Sequence, residues 1–340
     1  MTETSNTLST ALVTGGCGFI GSHVALYLQK QNIRVVVLDD LSGGTIANLP
    51  KNVTFIEGSI TDAALIDQLF EDYKFDHVFH LASYAAENLS HYIRRFNYET
   101  NLIGSINLIN SSIRSGNVKR FVFTSSIAVY GSISPPMDEN HPAIPEDPYG
   151  IAKLAIEQDL VAANSLFGLE YTIFRPHNVY GINQNLRDPY RNVIGIFMRQ
   201  LLNNEPMTIF GDGLQTRAFT YIDDIAPIIA ESINVPDTVN QVFNIGSETF
   251  STVKEISTLV SSALDRPYDA IHLKERTETT HAYCSHDKLK QVFDLDKPTP
   301  LETGIKKMGD WAKQLPFQSP TPFTNIEIKF GGPESWNLDS

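Results

Sequence analysis

Ser126, Tyr149 and Lys153 are the residues of this chain whose types and spacing suit chemistry on an alcohol. The serine lies in Thr124-Ser125-Ser126-Ile127-Ala128-Val129-Tyr130-Gly131, and the other two frame Tyr149-Gly150-Ile151-Ala152-Lys153. Four apart on a helix, tyrosine and lysine share one face. A lysine cation near a phenol favours the phenolate, so the tyrosine can act as a base well below its free pKa of about 10. A serine hydroxyl can share the same substrate oxygen. Together they would take a proton from an alcohol while a hydride leaves its carbon. The same tyrosine–lysine spacing also describes a solvated helix face, so its meaning depends on whether the chain carries a hydride acceptor.

The N-terminal segment supplies that context. Ala11 to Thr14 reads as a short buried strand, followed at once by Gly15-Gly16-Cys17-Gly18-Phe19-Ile20-Gly21. Ser22 to Gln31 then reads as a helix, and Ile33 to Leu38 as a strand ending in Asp39. Strand, glycine turn, helix, strand and acid is the order of a dinucleotide-binding unit. The pyrophosphate would sit at the helix N-terminus, where free N–H groups and the dipole favour an anion. Asp39 lies 18 residues past Gly21, the distance that suits a ribose diol. Its charge would repel a 2′-phosphate, so NAD is expected rather than NADP. Cys17 inside the turn reads as a small space-filler rather than a nucleophile, since no partnering base is evident.

The alternation continues along the chain. Strands are predicted at 53–56, 77–81, 120–124 and 171–175, and helices at 63–73, 97–115 and 148–167. This pattern implies α/β architecture: a Rossmann-like doubly wound parallel sheet, with a smaller C-terminal substrate-binding lobe. The expected NAD-binding domain spans 9–180, with a later strand near 243–245 returning to it. Residues 181–315 would form mainly the substrate lobe, and 316–340 a proline-bearing tail over the surface. In such sheets ligands lie beyond the C-terminal strand ends. Gly15, Asp39, Ala82, Ser126 and Asn178 all fall there, so they should meet along one crevice.

Composition narrows the class. The chain has 340 residues, 42% hydrophobic and 19% charged, as in a globular protein. No apolar run approaches the roughly 20 residues of a membrane span, and Met1 to Ser9 lack the order of a signal peptide. Two cysteines, Cys17 and Cys284, argue against a disulfide scaffold and fit a cytoplasmic location. A formal net charge of −13 opposes binding to nucleic acid or an anionic membrane. His77 and His80 fall on opposite faces of a strand, and no other cluster has metal-ligand spacing, so no metal is expected. Asp223-Asp224 reads as a helix cap.

Taken together, these motifs resemble the extended short-chain dehydrogenase/reductases, most closely the nucleotide-sugar 4-epimerases. The resemblance covers roughly residues 9–312. It rests on Thr14 to Gly21, His80 to Ser83, Asn101 to Gly104, Ser125-Ser126 before Val129-Tyr130-Gly131, Tyr149 with Lys153, Arg175 to Gly181, and Gly211 to Asp224. It implies that Gly15, Gly18, Phe19, Ile20, Gly21 and Asp39 contact NAD. Asp40, Ser42, Ser59, Ile60, Leu81, Ala82 and Asn101 would line its adenosine and nicotinamide sides, with Tyr149 and Lys153 at the reactive end. Ser126, Tyr149 and Lys153 match the catalytic trio. Asn178, Asn192 and Arg217 match positions that hold the substrate's nucleotide diphosphate, and Arg276 and Glu278 fall near a uridine-binding pair with a spacing one residue short. Ser59 stands where the family often has an acid. The helices 97–115 and 148–167 match those through which the family forms homodimers.

The resemblance also separates reactions. Relatives that eliminate water carry Asp-Glu directly after the catalytic Ser or Thr, and decarboxylating relatives keep the Glu. Here those positions are Ile127 and Ala128, neither of which can exchange a proton. A reversible C4 oxidation of a UDP-hexose through a 4-keto sugar and NADH is therefore the expected reaction. A 4,6-dehydratase, a decarboxylase and a non-enzymatic NAD-binding regulator are the alternatives. Two sugar pairs stand open: UDP-glucose/UDP-galactose and UDP-glucuronate/UDP-galacturonate. The loop 183–192 should cover the sugar, where Arg187 or Arg191 would pair with a C6 carboxylate and His177 adds a polar group. Ala282 falls where the family sets pocket size, and a small residue there admits a bulkier hexose.

Overall fold

Seven parallel strands form the centre of the computed structural model, which describes residues 8–275, 281–317 and 319–332. They are β1 (Thr10–Thr14), β2 (Arg34–Asp39), β3 (Thr54–Glu57), β4 (His77–His80), β5 (Arg120–Thr124), β6 (Tyr171–Pro176) and β7 (Gln241–Ile245). Their order is β7-β6-β5-β4-β1-β2-β3, the doubly wound arrangement in which the chain reverses direction beside β1. The strand expected near 243–245 is β7, paired with β6 in the register Phe243↔Phe174.

Each strand is apolar on both faces because both faces are covered. Alternate residues Leu12, Val36, Val78, Phe121 and Ile173 belong to one buried cluster, packed under the helices Ala63–Tyr73, Gly104–Ser115 and Pro148–Phe167. Their neighbours Val13, Val37, Phe79, Val122 and Phe174 belong to the other. That second cluster runs without a break into the C-terminal part, through Phe197, Ile256 and Ile305. The sheet and the C-terminal part therefore share one core. The latter is built from helices Val193–Leu202, Val253–Ala263 and Leu301–Ala312 around short strand pairs. Thr216–Ala218 lies between Phe250–Thr252 and His281–Ala282, and Met207–Phe210 pairs with Ala270–Leu273.

The helix expected over 97–115 differs in detail. It begins at Arg94, and Glu99–Ile103 forms a π-helical turn before Gly104–Ser115 resumes as α-helix. Such turns mark places where a side chain is needed out of α-helical phase.

A buried polar network ties the sheet to the 148–167 helix. Arg175 on β6 donates from Nε to Glu157 Oε1 at 3.0 Å and from Nη2 to Oε2 at 2.5 Å. Its Nη1 donates to the Tyr130 hydroxyl at 2.8 Å, which in turn donates to Asn244 Oδ1 on β7 at 2.8 Å. All four residues are buried. Removing one member of such a pair strands a charge away from water. Glu157→Ala is therefore expected to lower stability by about 3–5 kcal/mol, read as a fall in the urea midpoint at unchanged m-value.

Candidate active site

The C-terminal ends of β1, β2, β4, β5 and β6 open into one cleft of about 700 Å³ that also reaches the C-terminal part. Gly15 takes φ +69°, and a Cβ there would stand 2.7 Å from the Ala82 backbone. A Cβ on Gly21 would stand 2.1 Å from the Gly15 carbonyl oxygen, so the following helix packs onto the turn only without one. That helix, Phe19–Lys30, starts at Gly18 with no side-chain cap, which leaves its first N–H groups for an anion. Asp39 accepts from the Cys17 N–H at 3.0 Å and from the Leu41 N–H at 2.8 Å. Burial raises its carboxyl, and those N–H groups oppose the rise. Each oxygen keeps a lone pair for a ligand hydroxyl. Burial, and then Asp39, push the Cys17 thiol up to about 12, so it fills space and does no chemistry.

The other end of the cleft holds the trio. Ser126 follows the end of β5 by two residues and caps the turn Ile127–Tyr130, accepting from the Ala128 N–H at 3.1 Å. Asp147 caps the 148–167 helix by accepting from Gly150 N–H at 2.9 Å, and Pro148 starts it, which places Tyr149 in the first turn. Lys153 is 3% exposed. Its ammonium donates to the Thr124 carbonyl at 2.8 Å and lies 4.7 Å from the Phe123 ring centroid and 5.7 Å from that of Tyr149. Burial draws Lys153 down to about 7, against the pull of Glu157. Among the described residues, the hydroxyls of Thr124 and Ser125 are buried in this wall with no hydrogen-bond partner. Unpaired donors at one end of the cleft, with an uncapped helix and an oriented carboxylate at the other, fit a dinucleotide stretched along it.

The protein alone does not hold Tyr149 as a phenolate. Burial first, then the charges of Glu87 and Asp147, push the phenol upward; a hydrogen bond with Ser126 and the charge of Arg191 act the other way. Lys153 therefore acts on the phenol together with the positive charge that a bound nicotinamide would add, as expected of the pair. Its ammonium is engaged by the Thr124 carbonyl, and the buried phenol needs a further positive charge in the cleft.

Of the other expected cofactor residues, Gly18, Phe19, Ile20, Gly21, Asp40, Ser42, Ile60, Leu81 and Ala82 line the cleft. Two do not. The Ser59 hydroxyl stays in its own turn with the Thr61 hydroxyl and N–H, at 2.9 and 3.2 Å. Asn101 is buried behind the wall, in the π-helical turn. Its Oδ1 accepts from the Ser83 hydroxyl and the Tyr84 N–H, and its Nδ2 donates to the Tyr84 carbonyl. It shapes the wall rather than lining it. His80 assists from the core: its Nδ1 lies 2.8 Å from the Thr14 hydroxyl and its Nε2 2.7 Å from that of Ser105. The Thr14 oxygen also accepts from the Leu81 and Ala82 N–H groups, fixing the loop that follows β4.

On the substrate side, Asn178, Arg191, Asn192 and Arg217 line the cleft. Asn178 takes φ +40° and donates to the Ala218 carbonyl at 3.1 Å. Arg191 pairs with Asp188 at 2.8 Å and lies 5.3 Å from the Tyr84 ring centroid. Arg187 is exposed outside the cleft, donating to the Ser319 carbonyl, because its loop turns it toward the tail. His177 is also behind the wall, stacked on His286 at 5.3 Å, and burial holds it neutral. Arg276 and Glu278 lie outside the described residues. Sequence reasoning missed Tyr84, Glu87 and Phe96, which line the cleft. The signal was available for the first two, which follow the β4 end within a few residues, where ligands are expected.

A family model described as the NAD dependent epimerase/dehydratase family matches residues 11–246. The putative UDP-glucose 4-epimerase of Methanocaldococcus jannaschii is 34% identical over 307 residues, covering 89% of this chain and 98% of that protein. The dTDP-D-glucose 4,6-dehydratase of Dictyostelium discoideum is 34% identical over 258 residues, covering 70% of this chain and 58% of that protein. The solved UDP-glucose 4-epimerase of Thermotoga maritima, with UDP-glucose, is similar at a TM-score of 0.82 and 34% identity, covering 89% of this chain and 98% of that one. No helix among the described residues is long and apolar enough to cross a membrane, and none of their side chains form a metal-ligand cluster.

The buried histidines of the site predict an acid sensitivity. Burial holds His80 down to about 3 and holds the stacked His177 and His286 well below 6.5. Between roughly pH 6.5 and 4 the unfolded chain binds protons that the folded chain does not, so stability falls as the pH drops through that window. The urea midpoint is expected to be flat above pH 7 and to fall steadily at pH 6 and 5.

Proposed function

This chain belongs to the NAD-dependent epimerase/dehydratase family, with NAD as its cofactor, and on that premise we propose that it is a UDP-hexose 4-epimerase. The observation that carries the reading is the trio Ser126, Tyr149 and Lys153 on one cleft wall, flanked by residues that cannot move a proton. Ile127 packs beside Val129, Tyr130 and Met137, and neither it nor Ala128 lines the cleft.

When bound, NAD supplies a reversible hydride acceptor for C4 and the positive charge that Tyr149 lacks. Tyr149 then takes the O4 proton, and Ser126, hydrogen-bonded to the phenol, shares that oxygen. Lys153 keeps the phenolate favourable, and Glu157 helps it stay charged. Asn178, Asn192 and Arg217 hold the nucleotide diphosphate while the 4-keto sugar turns about that link. Tyr149 returns the proton to O4 as the hydride would come back to C4 on its opposite face.

The sugar is a neutral hexose, such as glucose, galactose or their N-acetyl forms, rather than a uronate. Arg187 faces away, and Arg191 is already paired with Asp188. Glu87 lines the same end, where a C6 carboxylate would meet like charge. The backbone of Ala282 pairs opposite Arg217, a cleft residue, which supports its place near the sugar. A homodimer fits the exposed apolar side chains Ile151 and Val161 on the 148–167 helix; a solution mass of about twice 37.9 kDa checks it.

Glu87 also favours a second reading. Burial among its neighbours, and then Asp147, push its carboxyl upward against Arg217, but the side chain is exposed to the cleft solvent, which screens the rise and leaves it charged. A carboxylate in the cleft lining, near enough to act on the charge of Tyr149, is a group that dehydration would use for proton transfer. Elimination needs both a base at C5 and an acid for the C6 oxygen. Among the described lining residues the other acids are Asp39 and Asp40, beside the glycine turn.

Proton NMR of NAD-loaded protein with UDP-glucose, UDP-galactose, their N-acetyl forms and UDP-glucuronate distinguishes these readings. Exchange of anomeric signals between epimers of a neutral hexose is expected; a new C6 methyl signal would establish dehydration instead. Tyr149→Phe should cut turnover by about 10²–10⁴-fold while NAD stays bound, an outcome foreign to a non-enzymatic NAD-binding regulator. Glu87→Gln should narrow the preference against UDP-glucuronate by about tenfold in kcat/KM.

A further inference from the structure

Residues 319–332 are not loose over the surface. Residues 319–332 run across the substrate end of the cleft and join two loops that line it. On one side the Thr321 N–H donates to the Arg187 carbonyl at 2.8 Å, and the Phe323 backbone hydrogen-bonds the side chain of Tyr190. On the other, the Glu327 and Ile328 N–H groups both donate to the Tyr92 carbonyl, at 2.8 and 3.2 Å, and the Tyr92 hydroxyl donates to the Gly331 carbonyl at 2.8 Å.

Two side chains do most of the joining. Phe323 lies between the loops, with ring centroids 5.4 Å from Tyr84 and 4.9 Å from Phe96. Tyr84 is the ring over which Arg191 sits, so Phe323 backs the pair from outside the cleft. The helical run that begins at Arg94 has no side-chain cap of its own. Glu327 supplies one from far along the chain: Oε2 accepts from the Arg95 N–H at 2.9 Å and Oε1 from the Phe96 N–H at 3.0 Å. A carboxylate at a helix start is favoured by the dipole as well as by the two bonds. The tail lies beyond the family match, which ends at residue 246.

We propose that residues 319–332 are a strap that orders the sugar-side wall of the cleft, with Phe323 and Glu327 as positioning residues for Tyr84, Glu87 and Arg191. The inference rests on the proposed reading of the cleft for its kinetic consequence alone. The strap touches neither the glycine turn nor the trio, so it acts on sugar placement and leaves NAD binding untouched. An epimerase must let its sugar turn while still excluding water from the ketone, and a wall held from outside meets both demands.

Full-length Phe323→Ala and Glu327→Ala, with Phe323→Tyr as the conservative partner, test this. Hydrogen exchange by mass spectrometry should show segment 84–96 exchanging faster in both alanine variants, with the 11–39 segment unchanged. KM for the UDP-hexose should rise about tenfold with kcat within about threefold and NAD content unchanged, and Phe323→Tyr should restore it. Unaltered exchange over 84–96 would overturn the proposal. So would faster exchange with unaltered KM, or a fall in kcat and NAD content together at constant KM, which marks mere loss of folded protein. If the wild type turns over no UDP-hexose, the proposed function fails, and the exchange result alone decides whether the strap orders the wall.

Discussion

Lys153 keeps an ammonium group where almost no water reaches it, and much of the structure exists to make that tolerable. Burial works to strip its proton, and each neighbouring feature opposes the loss. The Thr124 carbonyl, freed at the end of β5, accepts one hydrogen bond, and the Phe123 ring offers its face. Glu157, one turn further along the same helix, adds a negative charge that is itself fixed by Arg175. Arg175 in turn is held by Tyr130, and Tyr130 by Asn244 on the last strand. A cation beneath the reacting phenol is thus tied through side chains to the strand that closes the sheet. Without that chain of partners, nothing would oppose the burial that favours loss of the Lys153 proton.

The cleft divides into two mechanical regimes. At the dinucleotide end the contacts are backbone against backbone: a Cβ on Gly15 or Gly21 has no room, and Asp39 is set by two N–H groups. Positions of that kind have a single arrangement. At the sugar end the wall is made of loops, 84–96 and 187–191, shaped by Asn101 from inside and bridged by residues 319–332 from outside. A firm end and an adjustable end suit the proposed reaction, whose intermediate would turn in place.

The sheet was legible because β-strand burial and glycine geometry are local signals. The bounds Ala63–Tyr73, Arg120–Thr124 and Pro148–Phe167 match the expectation, since each is framed by its own cap or turn: Asp62 accepts from the Leu65 N–H, and Asp147 from the Gly150 N–H. The π-helical turn at Glu99–Ile103 was not legible. It places Asn101 against the 83–84 loop, a demand made by residues distant in sequence, and the helical periodicity around it carries no mark of it. Arg187 and His177 were misplaced for a related reason. Their types suit a carboxylate or a sugar, but a loop's direction and a second histidine at position 286 decided where they point.

By itself the sequence determined the parallel sheet, the dinucleotide turn, the trio and the absence of proton-moving groups beside Ser126, because each follows from residue type at short spacing. The tertiary structure decided how deeply that trio is buried and what lines the far end of the cleft. Burial sets whether Lys153 and Tyr149 hold their protons, and burial is a property of everything packed around them. Glu87, Arg191 and Phe323 come from three distant segments, and only the closed fold brings them to one wall.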